Sequence, residues 1–110
     1  MKTPSRRTKK VANELQFEIS RLIIEKISDP ALQGMTITDL ELSSDLKHAR
    51  VFYTTPQNEK EIQKGFKRAM PFIRRKISED LSLRYVPEIV FEKDTHLDKL
   101  DSLFKALQNN

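Results

Sequence analysis

Arg6, Arg7, Lys9 and Lys10 crowd into one short stretch near the N-terminus, and residues 1–10 contain no acid. A second basic cluster, Lys64, Lys67, Arg68, Arg74, Arg75 and Lys76, lies within residues 62–78, again without an acid. Acids collect instead toward the C-terminus, at Glu88, Glu92, Asp94, Asp98 and Asp101. The chemistry open to gathered ammonium and guanidinium groups is electrostatic. They raise a positive potential that reaches ~8–10 Å in physiological salt and draws polyanions. A solvated charged face has the same composition, so charge alone leaves both readings open.

The positions of these cations along predicted helices add a second argument. Arg74, Arg75 and Lys76 fall in the first turns of a helix predicted to start at Pro71, and Arg6, Arg7, Lys9 and Lys10 surround the start of the first helix. A cation at a helix N-terminus faces unpaired backbone amides and costs roughly 0.3–1 kcal/mol. Arg75–Glu79 and Lys76–Asp80 are i,i+4 pairs in the weaker base-before-acid order, worth only tenths of a kcal/mol. A polyanion partner explains cations held at two helix starts. Lys67 and Arg68 sit near the predicted end of the preceding helix, where the dipole favours them and no partner is needed.

Groups for catalysis are sparse. His48 and His96 are far apart, there is no cysteine, and Gly34 and Gly65 stand alone rather than in a phosphate-cradling loop. Disulfides and thiolate metal sites are therefore excluded. Asp94, Asp98 and Asp101 have the spacing of one side of a helix start, where acids suit the dipole, so a structural role is preferred to a metal site. No enzyme activity, cofactor, metal or small-molecule substrate is expected. Phe66, Phe72, Phe91 and Phe104 lie on apolar stripes and are expected in the core, whereas Tyr53 and Tyr85 are able to stack on unpaired bases.

The elements that must position these groups follow from periodicity. A chain of 110 residues is read as one domain, 1–110, large enough for a core without staples. It has no apolar run of roughly 18 residues and no secretory segment, so a soluble, cytoplasmic protein is expected. Val11, Leu15, Ile19, Leu22, Ile23 and Ile27 recur at helical spacing and predict a helix over 8–27, closed by Ser28-Asp29-Pro30. Thr36–Leu42 and Arg50–Thr55 read as two strands of a hairpin around Ser43–His48. A phase slip in the first strand marks a bulge or the strand entry. Asn58, with Glu61 as capping-box partner, starts a second helix carrying Ile62, Phe66 and Ala69. Pro71 ends it and starts a third helix carrying Ile73, Ile77 and Leu81. Glu88–Glu92 is a last strand, and Leu97, Leu100, Leu103, Phe104 and Leu107 form the stripe of a closing helix. The order helix, strand, strand, helix, helix, strand, helix predicts an α+β layer with helices on one sheet face.

Several blocks together resemble the ribosome-binding factor A family. They are Arg7–Val11, Ser28-Asp29-Pro30, the run Thr36–Leu46, Ala49-Arg50-Val51, Phe72-Ile73-Arg74 and the run Leu83–Asp94, with spacing kept across about residues 6–107. The resemblance implies a type II KH-like fold, with helices packed on a three-stranded mixed sheet. It implies a helix–kink–helix of Ala-x-Gly form at Ala69-Met70-Pro71, where proline departs from the usual glycine but still enforces a break. It further implies binding to the small (30S) ribosomal subunit and its 16S rRNA in late maturation, with rRNA 5′-end processing and growth in the cold. A monomer without cofactor or membrane contact is expected. On this reading Arg74, Arg75, Lys76 and Arg84, with Lys64, Lys67 and Arg68, contact phosphates along the kinked helix pair, while Arg6, Arg7, Lys9 and Lys10 hold a neighbouring RNA segment. Two other classes share these features: a small DNA-binding regulator using the pair as a helix-turn-helix, and a protein-interaction module docking through the closing helix and sheet.

Overall fold

The computed structural model describes residues 5–108, and for residues 97–99 the backbone alone. Helix α1, Arg6–Arg21, opens on Ser5, whose extended backbone places its Oγ to accept the Thr8 amide at 3.1 Å. The helix begins two residues before the predicted start because the capping hydroxyl, not the first apolar residue, defines the end. A wider π-type turn, Leu22–Lys26, prolongs it, and Ile27 leaves in an extended conformation. Asp29 then caps a separate 3₁₀ turn, Pro30–Leu32, by accepting the Ala31 amide at 3.1 Å.

Strands β1, Thr36–Leu42, and β2, His48–Thr54, pair antiparallel, with the register slipping between Ile37 and Asp39. The phase slip seen in the sequence is therefore a bulge at Thr38. Strand β3, Glu88–Lys93, lies parallel to β2, giving a mixed sheet in the order β1-β2-β3. A parallel neighbour needs a long crossover. Helix α2, Glu59–Asp80, supplies it, starting on Asn58, whose side chain accepts the Lys60 amide at 2.9 Å. Glu61 turns to Lys64 at 3.8 Å.

The predicted boundary at Pro71 is corrected. The segments on either side of it run on as one helix of 22 residues with Pro71 inside. Proline removes one amide donor and crowds the preceding turn, but Ile62, Phe66, Ala69, Ile73 and Ile77 form one buried stripe through it. Burying that stripe stabilises the helix on both sides of the proline.

The core lies between this stripe, the α1 stripe and one face of the sheet, where Leu40, Ala49, Val51, Tyr53, Ile89 and Phe91 point inward. Phe66 stacks on Phe91 at 3.9 Å and meets Tyr53 edge-on at 5.2 Å. Gly65 lets α2 settle on the 3₁₀ turn, since a Cβ there would stand 3.0 Å from Ala31 Cβ and Leu32 Cδ2. On the open sheet face Arg50 bridges Glu41 at 3.1 Å and Glu92 at 2.7 Å. This is the α+β layer expected from periodicity, in the KH-like arrangement that the family resemblance implied.

Helix α3, His96–Gln108, departs from expectation in its packing. Leu97 lies among the residues whose side chains are outside the description. Leu103, Phe104 and Leu107 are exposed, Phe104 at 62%, so Phe104 is not a core residue. Phe72 is half-buried against the core, as its stripe required in part. An apolar stripe shows that a face seeks a partner without saying where that partner is.

Candidate nucleic-acid interface

The cations of the sequence divide into groups with different local duties. Arg68 is engaged by Asp29, through Nε to Oδ2 at 2.7 Å and Nη2 to Oδ1 at 3.0 Å. This fork holds the middle of α2 against the 3₁₀ turn, and it keeps the Asp29 carboxyl below its usual range, with help from the Ala31 amide. The pair borders an open groove of about 580 Å³ beside Ala69 and Phe72. Arg74 donates to the carbonyls of Pro87 at 2.7 Å and Val86 at 3.2 Å, pinning the approach to β3. Arg75 lies 3.9 Å from Glu79 and 5.5 Å from the Phe72 ring. Lys76 reaches Glu79 at 3.4 Å and Asp80 at 3.8 Å.

The helix dipole does not oppose these last three cations, contrary to the expectation from sequence. Because α2 is continuous, Arg74, Arg75 and Lys76 lie in its C-terminal half but before its last turn, which carries no base, so they are clear of both dipole ends. Lys67 and Arg68 are correspondingly mid-helix rather than near an end. Helix α1 does hold cations against its dipole, since its first turn carries Arg6 and Arg7 and no acid.

Tertiary packing brings Arg7 to residues that sequence distance kept apart. A cavity of about 260 Å³ is bounded by Arg7 from α1, Lys47 from the β1–β2 turn, and Arg84 and Tyr85 from the α2–β3 loop, with Val11 and Leu83 also in its lining. Asp45 is the acid at its rim, and its Oδ1 accepts from Ser43 Oγ at 2.6 Å and the Lys47 amide at 3.0 Å. Those bonds hold the Asp45 carboxyl below its usual range and fix the turn that carries Lys47. Leu46 completes the turn with φ +64°, an uncommon conformation for a branched apolar residue. A neighbouring depression of about 480 Å³ runs from Arg7 to Lys10 and across to Asp80 and Ser82. Among the described residues, Arg6, Arg7, Lys9, Lys10, Lys47, Lys67 and Arg84 enter no ion pair, unlike Arg68, Arg75 and Lys76.

Lys47 was not among the sequence candidates. It sits alone between Leu46 and His48, and clustering along the chain cannot detect a cation that joins a cluster through a turn. The two tyrosines also separate. Tyr53 is wholly buried and its hydroxyl donates to Glu59 at 3.0 Å, so base stacking on it is excluded. Burial, then the bond to Glu59, pushes its phenol up to about 12. Tyr85 is 71% exposed, with the Arg84 guanidinium 5.5 Å from its ring centre.

Asp94 accepts from the Thr38 hydroxyl and, at 2.9 Å, from the His96 amide at the start of α3. Among the described residues, no three His, Cys, Asp or Glu side chains gather as a metal set, and no helix is long and apolar enough to cross a membrane.

The chain is similar to known proteins along most of its length. A family model described as ribosome-binding factor A matches residues 7–107. The ribosome-binding factor A of Streptococcus suis is 35% identical over 108 residues, covering 92% of this chain and 92% of that protein. The protein of that name from Caldanaerobacter subterraneus subsp. tengcongensis is 36% identical over 108 residues, covering 92% and 88%. The crystal structure of ribosome-binding factor A from Thermus thermophilus superimposes with a TM-score of 0.72 at 19% identity, over 78% of this chain and 93% of that one, which shows the shared fold. With the match running nearly from end to end, the chain belongs to the ribosome-binding factor A family.

Proposed function

We propose that the chain is a non-catalytic, monomeric assembly factor that acts in the cytoplasm as one domain. It binds the free or immature small ribosomal subunit through 16S rRNA, aids late maturation and 5′-end processing, and supports growth in the cold. The ribosomal part of this reading rests on the family. The RNA part rests on one observation: Arg7, Lys47 and Arg84 from three separate elements meet around one cleft without acid partners in ion pairs. Cations left unneutralised by the protein's own carboxylates are free to displace counterions from a phosphate backbone.

Arg6, Arg7, Lys9, Lys10 and Arg84, with Lys47, are the phosphate contacts of first rank. Lys64, Lys67, Arg68, Arg74, Arg75 and Lys76 form a second rank along α2, beside the Ala69-Met70-Pro71 segment. Arg68 and Arg74 reach phosphate only from the side not already bonded. Such contacts set affinity and position, and the folded shape of the rRNA sets specificity.

Sedimentation with free small subunits, large subunits and whole ribosomes tests the reading. Selective binding to small subunits is expected, with log K falling against log salt at a slope of roughly −3.5 to −4.5 if about five phosphates are neutralised. Arg7→Glu with Arg84→Glu should abolish it. A flat salt response, or equal binding to both subunits, overturns the proposal. The exposed stripe of α3 favours an added protein contact, which would persist after ribonuclease treatment. A helix-turn-helix regulator lacks support because α2 has no turn at Pro71.

A further inference from the structure

We infer that the cleft between Arg7, Lys47, Arg84 and Tyr85 holds one unpaired nucleotide of a single-stranded RNA segment, its base against the Tyr85 ring and its phosphates against the three cations. The inference rests on the reading of the chain as an RNA-binding assembly factor and goes further in naming the place and the form of the RNA.

Size and lining narrow the choice of ligand. At about 260 Å³ the cleft falls just below the roughly 300–1,000 Å³ of sites for whole small molecules, and it is too small to seat a helix. Its lining combines apolar Val11, Leu46 and Leu83 with cations contributed by three separate elements. A planar, weakly polar ring linked to an anionic chain matches that distribution. A duplex has its bases stacked and paired, so it offers the cleft only phosphates.

Tyr85 points to the same ligand. An aromatic ring 71% exposed gains nothing from the protein core. The Arg84 guanidinium stands 5.5 Å from its centre, so ring and cation present themselves together. Aromatic rings accept any base face, and adjacent arginines meet the backbone of the same strand.

The turn that completes the cleft is itself built for a fixed shape. Leu46 is held at φ +64° between Asp45, anchored by Ser43 and the Lys47 amide, and Lys47 itself. A leucine kept in this region reflects surroundings that over-determine it, a feature that clusters at ligand sites. Asp45 stays ionised, with Oδ1 held by Ser43 and the Lys47 amide, so the lining sets three cations against one carboxylate and remains net positive.

Fluorescence anisotropy of end-labelled hexauridylate with the full chain provides the test, with an RNA duplex of equal length, tripolyphosphate and hexaglutamate as competitors. Tyr85→Ala is expected to weaken hexauridylate binding by roughly 5- to 150-fold, and Tyr85→Phe to leave it within about twofold. Arg84→Gln should reduce the salt slope by roughly 0.7. Tyr85 is exposed, so its variants should retain the wild-type urea midpoint, which is measured beside them. Unchanged affinity in Tyr85→Ala, no hexauridylate binding by the wild type, or displacement equally well by tripolyphosphate or hexaglutamate overturns the inference. Cosedimentation of the same variants with small subunits separates the two readings. Subunit binding by the wild type alongside Tyr85-independent hexauridylate binding sinks the cleft alone. Tyr85-dependent hexauridylate binding without subunit binding supports the cleft and sinks the assembly-factor reading.

Discussion

Arg68 and Asp29 grip each other with two near-parallel bonds of 2.7 and 3.0 Å, tying the middle of α2 to the turn that follows α1. The same carboxylate caps that turn through the Ala31 amide. Its proton affinity is depressed in the folded state, first by Arg68 and then by Ala31, so the associated stability is fully present above the ordinary carboxylate range and is lost as the pH falls below that range toward the lowered folded value. Asp29→Ala should therefore lower Tm at neutral pH, and its deficit against wild type should shrink on acidification. A deficit that is the same at low and neutral pH would show that the charge plays no part.

Arg74 and Arg75 are adjacent in sequence and opposite in consequence. Arg74 satisfies two carbonyls before β3, whereas Arg75 sits on the surface with a distant partner at 3.9 Å. Arg74→Met is expected to cost about 1–2 kcal/mol of unfolding free energy, and Arg75→Ala less than about 0.5 kcal/mol. Urea titration of both variants checks the contrast.

Pro71 interrupts the hydrogen-bond ladder of α2 at an exposed position. Pro71→Ala restores an amide donor and removes the ring, so it should raise stability by about 1–3 kcal/mol. Thermal unfolding measures this directly. A loss of stability would mean that the proline ring makes contacts that hold the two halves of α2.

Tyr53 makes the protein sensitive to alkali. Its phenol ionises near 10 when unfolded but is pushed up to about 12 in the fold. Stability is thus complete below pH 10 and declines as the pH rises toward about 12, by up to roughly 2–3 kcal/mol. Tyr53→Phe keeps the packing on Phe66 and loses the bond to Glu59. It should cost about 0.5–1.5 kcal/mol at neutral pH and flatten the alkaline decline. Unfolding by urea at neutral pH and again near pH 11 compares the two limbs.

The amino-acid sequence by itself determined what is local. The α1 stripe Val11, Leu15, Ile19, Leu22 and Ile23 is buried as its spacing required. The bulge at Thr38 and the Asn58 cap lie where alternation and turn chemistry put them, as do β1 and β3, while β2 starts at His48, within the expected turn segment and two residues before Arg50. These features depend on residues within a few positions of one another, and the family likeness added the mixed topology. Only the tertiary structure decided the rest. Burial of one continuous stripe outweighed the helix-breaking tendency of Pro71, and that moved Arg74, Arg75 and Lys76 from a supposed helix start into the body of a longer helix. Distant carboxylates and carbonyls claimed Arg68 and Arg74. Folding brought Arg7, Lys47, Arg84 and Tyr85 around one cleft. Pairings between residues tens of positions apart depend on how elements pack, and periodicity along the chain carries no record of them.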